Sequence, residues 1–188
     1  MSLRPPFKLA STHVSVLTIL GSARGESHTQ ALLDAVLAGR PATRIDLRDL
    51  AIHPYEYDRP MERDDFAAVA AAMVAHAQIV FATPVYWYAM SGRMKTLFDR
   101  FTDLVTVRKD LGRQLNGRSV LVLACGSEPQ LPDGFEVPFR ETAAYLGMEY
   151  RGLFYGRTNK RGLLPSAAAD AGRYGDRMFD SSATESRY

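Results

Sequence analysis

Apolar stretches of strand length alternate with helix-like patterns along the chain. Three near-continuous apolar stretches, at residues 14–20, 78–82 and 120–124, are typical of strands that are covered on both faces. Segments at residues 43–47 and 149–155 predict two further strands. The pattern therefore predicts five strands, most of them buried.

Two helices are predicted in the first half of the chain. The first begins at about Ser27, whose spacing to Gln30 is that of a capping box. The second covers about residues 62–77, where apolar residues recur at helical spacing. Each of these helices connects one predicted strand to the next.

The third and fourth helices carry N-terminal signals. Ser91 is the predicted N-cap of a helix that runs to about residue 104, and Pro138 fits the first turn of a helix that ends near Gly147. The third helix has an apolar stripe that serves either the core or a dimer interface, formed by Met94, Leu97, Phe98 and Phe101.

The alternation of strands and helices predicts the fold class. Five βα units without internal repeats or a linker favour an α/β fold with a doubly wound parallel sheet. We expect one domain over residues 13–174, with residues 1–12 and 175–188 as flexible termini. The expected strand order is 2-1-3-4-5, in which the first and third strands flank the reversal.

Composition excludes several classes of protein. The chain has 188 residues and a formal net charge of +2 without a run of Lys and Arg, which argues against a nucleic-acid partner. Cys125 is the single cysteine, which excludes an intrachain disulfide and a cysteine-based metal cluster, and we expect it to be a buried structural thiol. The apolar stretches are too short to cross a membrane, and the short stretch near the N-terminus is interpreted as a strand rather than a signal peptide. We therefore expect a cytoplasmic protein with no membrane partner.

The loop after the first strand has the chemistry of a phosphate site. In an open parallel sheet, ligands bind at the carboxyl ends of the strands where the strand order reverses. The loop GSARGESHTQ lacks both the Walker A pattern and GxGxxG, but it offers Ser22, Arg24, Ser27 and Thr29 as donors next to a helix N-terminus. The alternative is a plain strand–helix turn in which Ser27 is only a cap.

The loop after the third strand is aromatic. Tyr86, Trp87 and Tyr88 follow Pro84 directly, an unusual use of large aromatic side chains in a surface loop. Either they cover a flat cofactor ring, or one ring enters the core while the others cover a partner subunit. Together with the first loop, they favour a mononucleotide with a large ring, and flavin is the leading candidate.

The two loops together resemble the NAD(P)H-dependent FMN reductase family of flavodoxin-like proteins. The resemblance is carried by GSARGESHTQ and TPVYWYAMSGRMKTLFDR and covers about residues 14–155. The chain departs from the family pattern at Ala23, where Pro is usual, and at His28, where Asn is usual. By this resemblance, the phosphate-binding positions are Ser22, Arg24, Ser27, His28 and Thr29, and the ring-binding positions are Pro84, Val85, Tyr86, Trp87 and Gly126.

The resemblance also implies an activity. It implies a flavodoxin-like three-layer sandwich with bound FMN that takes a hydride from NADH or NADPH and passes electrons to a small acceptor in the same pocket. Such acceptors are quinones, flavins, azo or nitro compounds and metal ions. This chemistry requires no side-chain acid or base, so we assign no catalytic residue and no metal ligand. The apolar stripe of the third helix, with Trp87 just before it, offers more apolar surface than a covering helix needs, so we expect a homodimer or homotetramer.

Two alternatives remain open from the sequence. The first is a flavodoxin-like electron carrier that does not itself oxidise NAD(P)H, although such carriers are typically strongly acidic and this chain is close to neutral. The second is a binding protein of the same fold that has lost its cofactor.

Overall fold

Five parallel strands form the centre of the structure, a computed structural model that describes residues 16–58 and 64–180. The strands are β1 (Val16–Leu20), β2 (Ala42–Asp46), β3 (Gln78–Pro84), β4 (Ser119–Gly126) and β5 (Glu149–Asn159). They lie in the order β2-β1-β3-β4-β5, with every pair among them parallel. The predicted sheet order is confirmed, and β1 and β3 are buried along their whole length because helices cover both of their faces.

Six helices connect and cover the strands of the described residues. They are α1 (His28–Leu37), α2 (Phe66–Ala75), α3 (Gly92–Thr106), α4 (Lys109–Gln114), α5 (Val137–Tyr145) and α6 (Pro165–Asp180). The predicted N-caps Ser27 and Ser91 are confirmed, since their hydroxyls accept the N–H groups of Gln30 and Met94 at 3.1 and 3.2 Å. Pro138 lies in the first turn of α5, as predicted.

The second helix begins later than predicted. It starts at Phe66 rather than near residue 62, because Asp64 and Asp65 accept hydrogen bonds from the backbone of the preceding loop. Asp64 also forms an ion pair with Arg100 of α3, and both side chains are almost fully buried. Asp64 thus holds the loop after β2 against α3, and Asp65 holds the backbone of that loop at Ala51. Residues 62 and 63 lie outside the described part.

The core has one layer on each face of the sheet. Phe66 and Met73 of α2 lie on one face together with Phe139 of α5, whereas Leu32 and Leu33 of α1 lie on the other. The apolar stripe of α3 lies in the core of this chain: Met94, Leu97 and Phe101 are buried, and the ring of Phe98 is 5.1 Å from the rings of both Phe81 and Phe139. Helix–sheet–helix layering of this kind is the three-layer sandwich that was expected.

The C-terminal part of the chain contains features that the sequence pattern did not predict. A short strand β6 (Gly162–Leu163) runs antiparallel to the end of β5, with Thr158 opposite Leu163. Helix α6 continues to residue 180, six residues past the predicted domain boundary at residue 174, and Met178 and Phe179 pack against the core. The predicted terminus at residues 1–12 and the last part of the other, residues 181–188, lie outside the described residues. Across the two described ranges, we find no helix with the length and apolar character that a membrane span requires.

Candidate functional site

The carboxyl ends of β1, β3 and β4 are joined by backbone hydrogen bonds. The N–H of Gly21 donates to the carbonyl of Ala82 at 2.8 Å, and the N–H of Val85 donates to the carbonyl of Cys125 at 2.8 Å. The three loops that follow these strands are therefore fixed side by side at one edge of the sheet. This is the position at which open parallel sheets bind ligands.

Ser91 connects the first loop to helix α3. Its hydroxyl, in a side chain that is only 2% exposed, donates to the carbonyl of Gly21 and accepts the N–H of Met94. The N–H of Ser91 donates in turn to the hydroxyl of Thr83 at 3.0 Å. One buried serine thus caps α3 and holds the start of the first loop, so a change there would affect both.

These loops surround a cavity of about 580 Å³. Its volume lies within the range of small-molecule and cofactor sites, roughly 300–1,000 Å³. All of the predicted site residues except Trp87 line it: Ser22, Arg24, Ser27, His28, Thr29, Pro84, Val85, Tyr86 and Gly126. The structure therefore brings together residues from loops that are far apart in the sequence.

One end of the cavity presents hydrogen-bond donors. The hydroxyl of Ser22 accepts the N–H of Arg24 at 3.2 Å, and that of Ser27 accepts the N–H of Gln30. Because both hydroxyls accept from the backbone, each keeps its own hydrogen for a ligand. The Arg24 side chain is exposed, and its guanidinium has no hydrogen-bond or ion-pair partner among the described residues. With the N-terminus of α1, these groups form a site suited to an anion.

Thr29 and Cys125 form the floor beneath these donors. The Thr29 hydroxyl lies 3.2 Å from the Cys125 sulfur, and both residues are buried. Burial raises the pKa of the Cys125 thiol, and the Thr29 hydrogen bond opposes that shift. The expectation of a buried structural cysteine is therefore confirmed.

The aromatic residues form a tight turn at the opposite end of the cavity. Tyr86 and Ala89 exchange two backbone hydrogen bonds of 2.9 and 3.0 Å around Trp87 and Tyr88, whose φ angles are +48° and +66°. Positive φ at both central residues defines a two-residue turn of the type I′ class, which usually contains Asn and Gly. Trp87 is 93% and Tyr88 71% exposed, and Tyr86 is exposed as well, so none of the three rings enters the core. Trp87 lines a smaller adjoining cavity of about 200 Å³ that shares Val85 and Gly126 with the main one.

Gly126 keeps the space between these two cavities open. A Cβ atom at this position would lie 2.9 Å from the Tyr155 hydroxyl and 3.4 Å from the Cβ of Val85. The Tyr155 hydroxyl donates to the carbonyl of Glu128 at 2.9 Å, and its pKa is raised chiefly by burial, so the phenol remains a neutral donor. The third loop therefore contributes exposed backbone rather than side chains at this point.

The cavity has a fourth wall that the sequence analysis missed. It comes from the hairpin between β5 and β6 and consists of Arg157, Thr158, Asn159 and Lys160. Arg157 is the register partner of Gly126, and its Nε donates to the carbonyl of Ser127 at 3.4 Å. Asn159 and Gly162, on either side of Lys160 and Arg161, are residue types typical of a hairpin turn. The sequence analysis missed this hairpin because it predicted that the strand ends at residue 155. The hairpin adds positive charge to a cavity already lined by Arg24.

Comparison with protein families gives a match over most of the chain. The family model of the NADPH-dependent FMN reductases matches residues 14–150. A putative NAD(P)H-dependent FMN-containing oxidoreductase of Bacillus subtilis, YwqN, is 25% identical over 159 residues, which is 79% of this chain and 88% of that protein. The matched region includes the loops after β1, β3 and β4.

Solved structures share the same fold. The Trp repressor binding protein from Bacillus subtilis superposes with a TM-score of 0.69 at 24% identity, covering 85% of this chain and 96% of that one. RosB, solved with 8-demethyl-8-formylriboflavin-5'-phosphate, superposes with a TM-score of 0.70 at 13% identity, covering 94% of this chain and 82% of that one. At these identities the matches concern the fold.

Proposed function

The chain belongs to the NADPH-dependent FMN reductase family, and we propose that it holds FMN in the cavity at the carboxyl ends of β1, β3 and β4. The membership makes it an NAD(P)H-dependent oxidoreductase that uses FMN. We further propose which residues bind the cofactor and which kind of acceptor the protein reduces. The observation that carries them is a single cavity with hydroxyl and guanidinium donors at one end and exposed aromatic rings beside the other.

The donors fit a phosphate monoester. Ser22 and Ser27 each have a hydrogen to donate, Arg24 offers a planar fork of N–H groups, and the N-terminus of α1 favours negative charge. His28 lines the same end of the cavity and offers a ring nitrogen. No carboxylate other than that of Glu26 lines this cavity among the described residues, so the lining carries an excess of positive charge. We assign the phosphate to this end.

The aromatic turn and the third loop fit a flat ring. Pro84 and Val85 lie against the cavity, and the open space at Gly126 lets the ring approach the backbone of β4. Tyr86 and Trp87 expose large aromatic surfaces, and a ring that packs against them would explain why these side chains lie on the surface. Bound FMN supplies the redox chemistry, namely the uptake of a hydride from a nicotinamide and its passage to an acceptor. The protein's part is to orient the ring and to leave one of its faces accessible.

We infer that the acceptor is a small molecule and that donor and acceptor use the same open face in turn. The adjoining cavity of about 200 Å³ beside Trp87 and Tyr88 is large enough only for a compact group, which favours quinones and similar small rings. The exposed pair Trp87 and Tyr88 also supports assembly into a homodimer or homotetramer. Light scattering at micromolar concentration tests the assembly, and a monomer would contradict it.

The experiment that tests the cofactor assignment compares FMN with riboflavin, which lacks the phosphate. Arg24→Ala should weaken FMN binding by about 1.5–3 kcal/mol, the scale of a charge-assisted hydrogen bond, or roughly tenfold to more than a hundredfold. Riboflavin affinity should hardly change. Trp87→Ala should weaken both ligands by similar factors, because it removes ring contact.

A matched control is Arg113→Ala. Arg113 is an exposed arginine on α4, which precedes β4 and therefore lies toward the opposite edge of the sheet. It should leave both affinities at the wild-type level. Equal losses of FMN and riboflavin in Arg24→Ala would show that the phosphate is bound elsewhere.

A further inference from the structure

Arg48 follows β2 and lies beside the first loop. The last residue of β2, Asp46, is the register partner of Leu20, which ends β1 and precedes the loop that begins at Gly21. The N–H of the buried residue Leu47 donates to the carbonyl of Leu20 at 2.9 Å, so the two strand ends are joined just where they leave the sheet. The chain at Arg48 therefore passes next to the loop that carries the proposed phosphate donors.

Asp46 holds the guanidinium of Arg48 in one orientation. The Nε atom of Arg48 lies 3.2 and 3.0 Å from the two carboxylate oxygens, and Nη2 donates to one of them at 2.7 Å. The side chains of Arg48 and Asp46 are only 30% and 18% exposed, and a bidentate pair of this kind fixes direction as well as distance. This arrangement leaves the two N–H groups of Nη1 without an acceptor among the described residues.

The Nη1 group of Arg48 faces Gly25 of the first loop. A Cβ atom at position 25 would lie 3.2 Å from Nη1, which is closer than ordinary van der Waals contact, and 3.7 Å from Cζ. The φ angle of Gly25 lies outside the left-handed region, so it is the approach of Arg48 that leaves little room for a side chain here. Gly25 directly follows Arg24 and lies two residues before Ser27, and both of these residues are proposed phosphate donors.

The contact with the loop gives Arg48 a role beyond its ion pair. A pair between Arg48 and Asp46 alone would stabilise the end of β2 and would need no neighbour in the first loop. The guanidinium instead packs against the backbone of that loop, and it does so from outside the cavity, which Arg48 does not line. Any effect of Arg48 on a ligand in the cavity therefore passes through the loop.

We propose that Arg48, oriented by Asp46, is a positioning residue for the FMN phosphate. It packs against Gly25 and holds the first loop in the conformation in which Ser22 and Ser27 keep their hydroxyl hydrogens for the anion. This inference rests on the proposed function, because it takes the first loop as the phosphate site. A loop that is already ordered binds its ligand more tightly, because the entropy of ordering has been lost before the ligand arrives.

The direct test is calorimetric titration of the full cofactor-free chain with FMN and with riboflavin. Arg48→Gln should weaken FMN binding by about three- to tenfold, the effect of losing the contact that orders the loop, and riboflavin binding by less than about twofold. The matched control is Arg44→Gln, which removes an arginine of the same strand that pairs with Asp34 of α1 and does not line the cavity. It should change neither affinity.

A double-mutant cycle tests the contact itself. Gly25→Ala should weaken FMN binding in the wild-type background, because the new methyl group meets Nη1 of Arg48, and should weaken it less in the Arg48→Gln background, where that atom is gone. We expect the effect of Gly25→Ala to differ by about threefold between the two backgrounds. Effects that simply multiply would show that Arg48 and Gly25 do not interact, and they would overturn the inference.

Trypsin cleavage after Arg24 reports on the loop without the cofactor. In the cofactor-free protein, Arg48→Gln should raise the rate of cleavage between Arg24 and Gly25, identified by mass spectrometry, by at least about threefold, whereas Arg44→Gln should not. If the wild type binds FMN no more tightly than riboflavin, the proposed phosphate site fails, and the cleavage rate still decides whether Arg48 holds the loop. If Arg48→Gln leaves both the cleavage rate and the ratio of the two affinities as in the wild type, Arg48 is only the partner of Asp46 and the inference is overturned.

Discussion

Replacing Trp87 by Asn should stabilise the cofactor-free protein although it removes the largest side chain of the site. Trp87 has a φ of +48°, and the left-handed region costs an ordinary L-residue about 1–2 kcal/mol, whereas Asn tolerates it well. The indole is 93% exposed, so the substitution removes only the contact that covers about 7% of its surface. With roughly 150–250 Å² for a fully enclosed aromatic, that loss is about 10–20 Å², or about 0.3–0.5 kcal/mol. The expected net gain is about 0.5–1.5 kcal/mol, which raises Tm by about 1–6 °C for a chain of this size.

The assay is urea and thermal unfolding of the cofactor-free protein, because bound FMN would add its own stabilisation. Tyr57→Asn is the control: Tyr57 is 88% exposed and does not have a positive φ. It should be neutral or slightly destabilising, so the difference between the two variants measures the backbone strain at position 87. If Trp87→Asn is no more stable than Tyr57→Asn, the strain is absent and the turn needs another explanation. The same variant should bind FMN and riboflavin more weakly, a loss of function with a gain of stability.

Two further predictions concern buried hydroxyls. Ser91→Ala removes an N-cap, which is worth about 0.5–2 kcal/mol, and leaves the buried Gly21 carbonyl without its donor, so we expect the free energy of unfolding in urea to fall by about 2–4 kcal/mol. The control Ser27→Ala removes a cap alone and should cost about 1 kcal/mol. Equal losses in the two variants would contradict the role of the Gly21 contact. Tyr174→Phe should be neutral or stabilise the protein by about 1 kcal/mol, because the Tyr174 hydroxyl is buried without a hydrogen-bond partner among the described residues. Burial raises the pKa of Tyr174 to about 12 from an ordinary value near 10. The free energy of unfolding is therefore unaffected by the ionisation of this phenol below about pH 10, and it falls as the pH rises toward 12 because the unfolded state loses the proton more readily. The Phe variant should therefore lose less stability between pH 9 and pH 11 than the wild type, and an unchanged slope would assign the alkaline transition to other groups.

The sequence predicted the parts of the fold that depend on local patterns. Apolar stretches marked β1, β3 and β4 because strands covered on both faces are apolar at nearly every position. Ser27 and Ser91 marked helix starts because an N-cap hydroxyl satisfies a backbone N–H within the same few residues. The rule that the carboxyl ends of parallel strands meet predicted that the loops after β1 and β3 lie together. The candidate positions His28, Pro84, Val85 and Gly126 came from the family resemblance.

Features that depend on distant contacts could not be predicted in this way. The start of α2 is set by Asp64, whose partner Arg100 lies on another helix. The hairpin that brings Arg157 and Lys160 to the cavity is fixed by the pairing of β5 with β6 and by the approach of α1. The exposure of Trp87 depends on a turn whose sequence lacks the usual Asn and Gly, so its class was not evident from residue types.

The hydrogen bonds from Gly21 to Ala82 and from Val85 to Cys125 join strand ends that are far apart in the chain. No continuous segment forms the proposed FMN cavity, since the cavity exists only after β1, β3 and β4 have paired. Such long-range pairings form late and slowly, after the entropy of closing the intervening loops has been overcome. With FMN bound in this cavity as proposed, we expect it to bind only when folding is nearly complete and to stabilise the native state relative to the transition state. We therefore expect the cofactor to slow unfolding and to leave the folding rate of the chain unchanged.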